Sequence, residues 1–196
     1  VSVGTTADLN GLAYTAVDLP SLKEWINAGN DLSKVVTTKV NTSANGSEVA
    51  VLFNRDGYGF IDIEGIEGWD VSNWTSFMGL FYSPKPVASD LSSWDVSNIT
   101  NISAGFGLGT VNPNINNWDV SNVTTMLYMF YQSSFNQDIG NWDVSNVTNM
   151  DTMFRDNLAF NQDIGDWAVD NVTQCLGFSG NTPSWTLPQP NFTNCT

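Results

Sequence analysis

The pentapeptide Trp-Asp-Val-Ser-Asn stands at Trp69, Trp94, Trp118 and Trp142, and a degraded fifth copy, Trp167-Ala168-Val169-Asp170-Asn171, follows. The tryptophans are 25, 24, 24 and 25 residues apart. Self-similarity at a fixed spacing in this range marks a stacked architecture, because one repeat cannot bury its own apolar side and needs a neighbour on each side to do so. The chain therefore has to be read as a ladder of equivalent positions.

With each Trp as position zero, Ile66, Leu91, Ile115, Ile139 and Ile164 fall at minus three, and Val71, Val96, Val120, Val144 and Val169 at plus two. Plus five holds Trp74, Ile99, Val123, Val147 and Val172, and plus eight holds Phe77, Ile102, Met126, Met150 and Cys175. Alternation across Trp-x-Val predicts a short strand, and the apolar spacing from Val147 through Met150 to Met153 predicts a helical or 3₁₀ turn. A return loop follows, seen as Phe135-Asn136-Gln137-Asp138-Ile139-Gly140 and again as Phe160-Asn161-Gln162-Asp163-Ile164-Gly165.

These columns resemble the leucine-rich repeats of the BspA-like type, a bacterial surface protein repeat built around W-D-V-S-N-V-T-x-M-x-x-M-F and F-N-Q-D-I. The resemblance covers about residues 63 to 180 and is nearly complete in Trp118–Ile139 and Trp142–Ile164. It implies an α/β fold, a leucine-rich-repeat-like right-handed solenoid with short parallel strands and helical or 3₁₀ turns, in proteins mostly displayed on cell surfaces. It implies no catalytic residues.

Outside the repeats, residues 1–62 are expected to form an N-terminal α+β cap, 63–180 five solenoid repeats, and 181–196 an irregular C-terminal cap. In the N-terminal cap DLPSLKEWINAG reads as a short amphipathic helix, KVVTTKV and EVAVLF read as strands, and Asn54-Arg55-Asp56-Gly57 turns EVAVLF back on YGFIDI in a hairpin. The opening VSVGTTADLNG has neither a basic nor an apolar leader segment, which fits an excised soluble piece, and no run approaches the ~20 apolar residues of a membrane helix.

Six Lys plus Arg against twenty Asp plus Glu give a net charge of −14, which repels phosphate backbones and anionic lipid, so neither nucleic acid nor membrane insertion is expected. Cys175 and Cys195 in so Lys-poor a chain point to a disulfide and an oxidising, extracellular or cell-surface setting, a virion surface included; free thiols are the alternative. Of ten Asn-x-Ser/Thr sequons five belong to the repeat unit, leaving Asn41, Asn45 and Asn191 as the better glycan candidates in a eukaryotic source.

The chain has no His, which removes the commonest general base and metal ligand. The densest acidic group, Asp62, Glu64, Glu67 and Asp70, reads as a solvated edge, with calcium the ion it would take; no other cofactor is expected. Asp70, Asp95, Asp119 and Asp143 form a column that stacking would space ~4.8 Å apart. Neighbouring charges at that distance repel by about 0.9 kcal/mol in water and about 3.5 kcal/mol at an effective dielectric of about 20, so the column needs compensation. Either each carboxylate accepts hydrogen bonds from backbone N–H groups or from the Ser and Asn that follow it, or the column faces a cation or a ligand. The tryptophans are expected in the core, which leaves Tyr82, Tyr128 and Tyr131 as contact candidates.

The resulting expectation is a non-enzymatic extracellular recognition or adhesion module that binds a surface protein or glycan. The alternative is a structural subunit or decoration domain of an extracellular filament, sheath or virion, in which neighbouring copies are the partners.

Overall fold

The computed structural model describes residues 6–9, 12–17, 35–37, 66–68, 71–82, 90–110 and 112–195, the first three segments by backbone alone. Those three are strands: β1 (Thr6–Leu9), β2 (Leu12–Val17) and β3 (Val35–Thr37). β1 pairs antiparallel with β2, with Leu9 opposite Leu12, and β2 pairs parallel with β3, with Thr15 opposite Val35. The residues between β1 and β2 in sequence are Asn10 and Gly11, the pair a two-residue hairpin favours. β3 lies inside KVVTTKV, whereas the expected helix and the expected EVAVLF/YGFIDI hairpin lie outside the described residues.

From Val71 onward the repeats lie one on another, and a single rule of backbone bonding joins them. Met150, Thr152, Phe154 and Asp156 donate their amides to the carbonyls of Gln174, Leu176, Phe178 and Gly180 in the following copy. Met126, Tyr128, Phe130 and Gln132 donate in the same way to Asn149, Asp151, Met153 and Arg155. The amides between them close tight turns within their own copy, Met153 to the Met150 carbonyl and Arg155 to that of Thr152. Even positions tie copies together; odd positions bend the chain.

That alternation explains why the stretch is not the helical turn its spacing suggests. To aim every second amide at the neighbour, the residues at plus ten and plus fourteen take the left-handed conformation, with φ of 58° at Thr152 and 57° at Asp156, and 57° and 50° at Tyr128 and Gln132. Glycine stands at plus ten in the first and last copies, at Gly79 and Gly177, where the conformation carries no Cβ penalty.

Parallel pairing also falls elsewhere than expected. Ser76, Asn101, Thr125, Asn149 and Gln174, all at plus seven, form a row of single parallel bridges, while Trp142-Asp143-Val144 forms no strand. The reason is local: the Trp142 amide closes a turn on Ile139 and the Val147 amide closes another on Val144, so no straight run remains between them.

The interior is a set of ring stacks. Trp94 lies parallel to Trp118 with centroids 6.3 Å apart and planes 3° apart, and Trp142 to Trp167 at 6.4 Å and 6°. A second stack runs at plus twelve through Phe81, Phe106, Phe130 and Phe154, at 5.3, 5.9 and 5.3 Å between successive rings. Phe135 stacks on Phe160, and Trp185 closes that row edge to face, its plane 81° from that of Phe160. Leaving aside Ile66, whose side chain is not described, the apolar columns at minus three, plus two, plus five and plus eight are buried except at Cys175, which is half-buried. Stacked aromatics of this size bury ~150 to 250 Å² each and dominate the packing energy.

The C-terminal segment, expected to be irregular, forms turns and bends with no strand or helix among the described residues, and one side-chain row of the copies continues into it. Pro190-Asn191-Phe192-Thr193-Asn194-Cys195-Thr196 aligns with Trp-Asp-Val-Ser-Asn-Val-Thr as a degenerate copy that keeps only the Asn and the Thr. Asn194 donates its side-chain amide to the Asp170 carbonyl as Asn146 does to Ser121 and Asn171 to Ser145. Cys195, at plus five of this degenerate sixth copy, is disulfide-bonded to Cys175 at plus eight of the fifth, with Cα atoms 5.8 Å apart.

Candidate functional site

Each copy projects the same polar side chains outward, so the surface is built in rows. In the Asp row, Asp95 and Asp119 accept at Oδ1 from the amide and hydroxyl of the Ser two residues on, at 3.1 and 2.6 Å in both copies. Asp143 accepts from the Ser145 amide at 3.0 Å. All three are exposed, and Asp95 and Asp143 are held below the usual carboxylate range first by the Ser hydroxyl and then by the Ser amide. These are Asx turns that fix the bend after Val96, Val120 and Val144. Asp70 lies outside the described residues.

A second acidic row went unread in the sequence: Asp90, Asp138 and Asp163, at minus four, cap the amides of Ser92, Gly140 and Gly165 at 2.9 to 3.0 Å. Two more rows tie copies together on the exposed side. Asn98, Asn122, Asn146 and Asn171 donate to the Ser carbonyl one copy back, and Thr100, Thr124, Thr148 and Thr173 donate their hydroxyls to the Thr carbonyl one copy back. The buried Asn157 was missed as well. Its Oδ1 accepts from Ala159 and Phe160 and its Nδ2 donates to Ser133 Oγ and the Phe135 carbonyl, which pins the return loop.

The three tyrosines come together. Tyr82 and Tyr131 both stand at plus thirteen, two copies apart, and the position between them is Gly107. Because Gly107 has no side chain, the Tyr82 ring lies directly over its backbone; a Cβ there would fall 2.5 Å from Cε2 of the ring. Tyr128 meets Tyr131 edge to face at 5.6 Å. Burial first, and then the phenols of Tyr131 and Tyr128, push the Tyr82 phenol above its ordinary value. Tyr128 is 41% exposed, and Tyr82 and Tyr131 are half-buried. The result is an uncharged patch of phenol rings spanning three copies, bounded on the next copy by Arg155, which lies 3.6 Å from Asp156.

Of the expected cation group, Glu67 lies exposed on the 3₁₀ turn Ile66–Gly68, and Asp62, Glu64 and Asp70 lie outside the described residues. Among the described residues no three His, Cys, Asp or Glu side chains converge as a metal site. Asn191 is exposed, while Asn41 and Asn45 lie outside the described residues. Among the described residues no helix is long and apolar enough to cross a membrane.

A chain of in-register copies with outward polar rows and a ring-stacked interior is a repeat protein. It belongs to the family described as "Mycoplasma protein of unknown function, DUF285", whose model matches residues 26–111, 48–134 and 106–187 in overlapping placements. No curated protein and no solved structure matches the chain.

Proposed function

We propose that the chain is a non-enzymatic extracellular recognition module, a BspA-like right-handed solenoid of leucine-rich-repeat type whose outer face binds a surface protein or glycan. The observation that carries this reading is the Tyr82, Tyr128 and Tyr131 patch. Rings that the core does not use are gathered from two copies, and Gly107 in the copy between leaves room for one of them. Phenol rings offer a flat apolar face with a polar tip at small entropic cost, the combination that sugar rings and protein side chains both use. The Asp row serves the fold, its Oδ1 atoms accepting from the Ser two residues on.

The remaining chemistry favours binding over catalysis: the chain has no His, and both thiols are joined in the disulfide. That disulfide supports an oxidising, extracellular location.

The test is a screen of the purified chain against arrayed glycans and cell-surface proteins, with and without calcium, repeated with Tyr128→Ala and Tyr131→Ala. Capture that both variants lose while melting as the parent does supports the reading. Capture that both retain, or none by the parent, overturns it.

A further inference from the structure

Between Lys85 and Thr196 the sequence holds one cationic side chain, Arg155, among its aspartates. It stands at plus thirteen, the column of Tyr131, one copy further on. The two are held in register by the backbone, since Gln132, next to Tyr131, donates its amide to the Arg155 carbonyl at 2.9 Å. Adjacent copies joined in this way lie ~4.8 Å apart. The Arg155 arm is laid along the following copy, its Cγ and Cδ 3.6 and 3.9 Å from where a Cβ would stand on Gly180. That is the device seen at Tyr82 and Gly107: a plus-thirteen side chain lies over a plus-thirteen glycine.

The guanidinium is 57% exposed with its side chain, and its approach to Asp156 Oδ2 is through Nε at 3.6 Å, longer than a hydrogen bond. The other carboxylate oxygen of Asp156 is occupied, accepting from Asn181 Nδ2 at 2.7 Å. Among the described residues no acceptor hydrogen-bonds to the Arg155 guanidinium, so its terminal Nη pair stays open. Two parallel N–H donors in a plane match the two oxygens of a carboxylate.

We propose that the tyrosine patch takes a carboxylate-bearing sugar, its ring on Tyr128 and Tyr131 and its carboxylate on the Nη edge of Arg155. This rests on the recognition reading and narrows its ligand. The edge-to-face pair Tyr128 and Tyr131 offers an apolar surface with polar tips for a sugar ring. One exposed guanidinium in a chain of net charge −14 suits an anion presented singly and repels a polyanion such as a heavily sulfated glycan or an acidic peptide.

The experiment is calorimetric titration of the full chain with otherwise neutral oligosaccharides ending in glucuronate, galacturonate or a sialic acid, each beside its carboxyl-reduced counterpart. The expected result is binding of at least one acidic form roughly tenfold or more tighter than its neutral twin, an advantage that shrinks as salt is raised. Arg155→Gln should abolish the advantage and leave the weaker binding of the neutral form, with the melting temperature of the parent. Asp156→Asn, which still accepts from Asn181 but carries no charge, should widen it. Equal binding of each pair overturns the proposal, as does an advantage that Arg155→Gln keeps or Asp156→Asn narrows. Binding of polyglutamate or of heparin with none of the sugar pairs overturns it too. Capture of a neutral glycan or a protein that needs Tyr128 and Tyr131 but not Arg155 removes this proposal and leaves the recognition reading standing.

Discussion

Trp118 donates its indole N–H to the carbonyl of Leu91, one copy earlier, at 2.9 Å, and the same carbonyl accepts the amide of Trp94 at 3.1 Å. Trp142 and Trp167 repeat the arrangement on Ile115 and Ile139. One buried carbonyl thus serves a turn in its own copy and a ring in the next, which couples local bending to stacking. Trp118→Phe should keep most of the stack and cost about 1 to 2 kcal/mol through the lost hydrogen bond and the smaller ring. Trp118→Ala should cost about 3 to 5 kcal/mol, and Tyr128→Ala far less because that ring is exposed. Chemical denaturation of the three variants checks the order.

The Asp row separates hydrogen bonding from charge. Asp143→Asn keeps an oxygen to accept from Ser145 and should change stability by less than about 0.5 kcal/mol, while Asp143→Ala should lose about 1 kcal/mol. Acid should act on the same bonds. Asp95 and Asp143 ionise below the unfolded value, chiefly because Ser97 and Ser145 donate to them, so their stabilising contribution is complete above about pH 4. It is lost as pH falls through the lower folded value. Denaturation midpoints should therefore decline below about pH 4, and less steeply in the Asp95→Asn, Asp143→Asn double variant. A decline already complete at neutral pH would contradict the assignment.

The disulfide joins residues 20 apart in sequence and ties the degenerate sixth copy to the fifth. Reduction should lower stability by about 3 kcal/mol in the chain-entropy model. Mass spectrometry of the unreduced protein should find neither cysteine alkylated.

Backbone conformation and space are separable at two glycines. Gly177 has a φ of 66° and nothing nearer than 3.9 Å to an added Cβ, so Gly177→Ala should cost about 1 kcal/mol from conformation alone. Gly107→Ala meets the Tyr82 ring instead, and should disturb the tyrosine patch more than the melting temperature. Ala104, with a φ of 54°, predicts the converse: Ala104→Gly should gain up to about 1 kcal/mol.

Side-chain columns were legible in the sequence because apolar burial is written in residue type: Leu91, Trp118, Val144 and Met150 sit where their spacing put them, in the core. The Asx role of Asp119 was legible too, since Ser121 follows at the required offset. What the sequence hid is carried by backbone. The amides of Met150, Thr152, Phe154 and Asp156 bond to the next copy whatever their side chains are, so the pairing row at plus seven and the left-handed positions leave little trace in residue identity. Thr152 even argues against its conformation, being β-branched. The sixth copy was hidden because Pro190, Phe192 and Cys195 replace the Trp and Val residues that define the others. The β1–β2 hairpin had a signal, Asn10-Gly11 between alternating residues, that was passed over.

Every second amide joins one copy to the next, and native-state hydrogen exchange reads that bonding directly. Met126, Tyr128, Phe130 and Gln132 should be protected, Met150, Thr152, Phe154 and Asp156 likewise, in a pattern that repeats from copy to copy and fades together as denaturant is added. Rapid exchange at these eight amides, with protection confined to the turn amides Met129, Tyr131, Met153 and Arg155, would mean that the copies bend as described but do not stack.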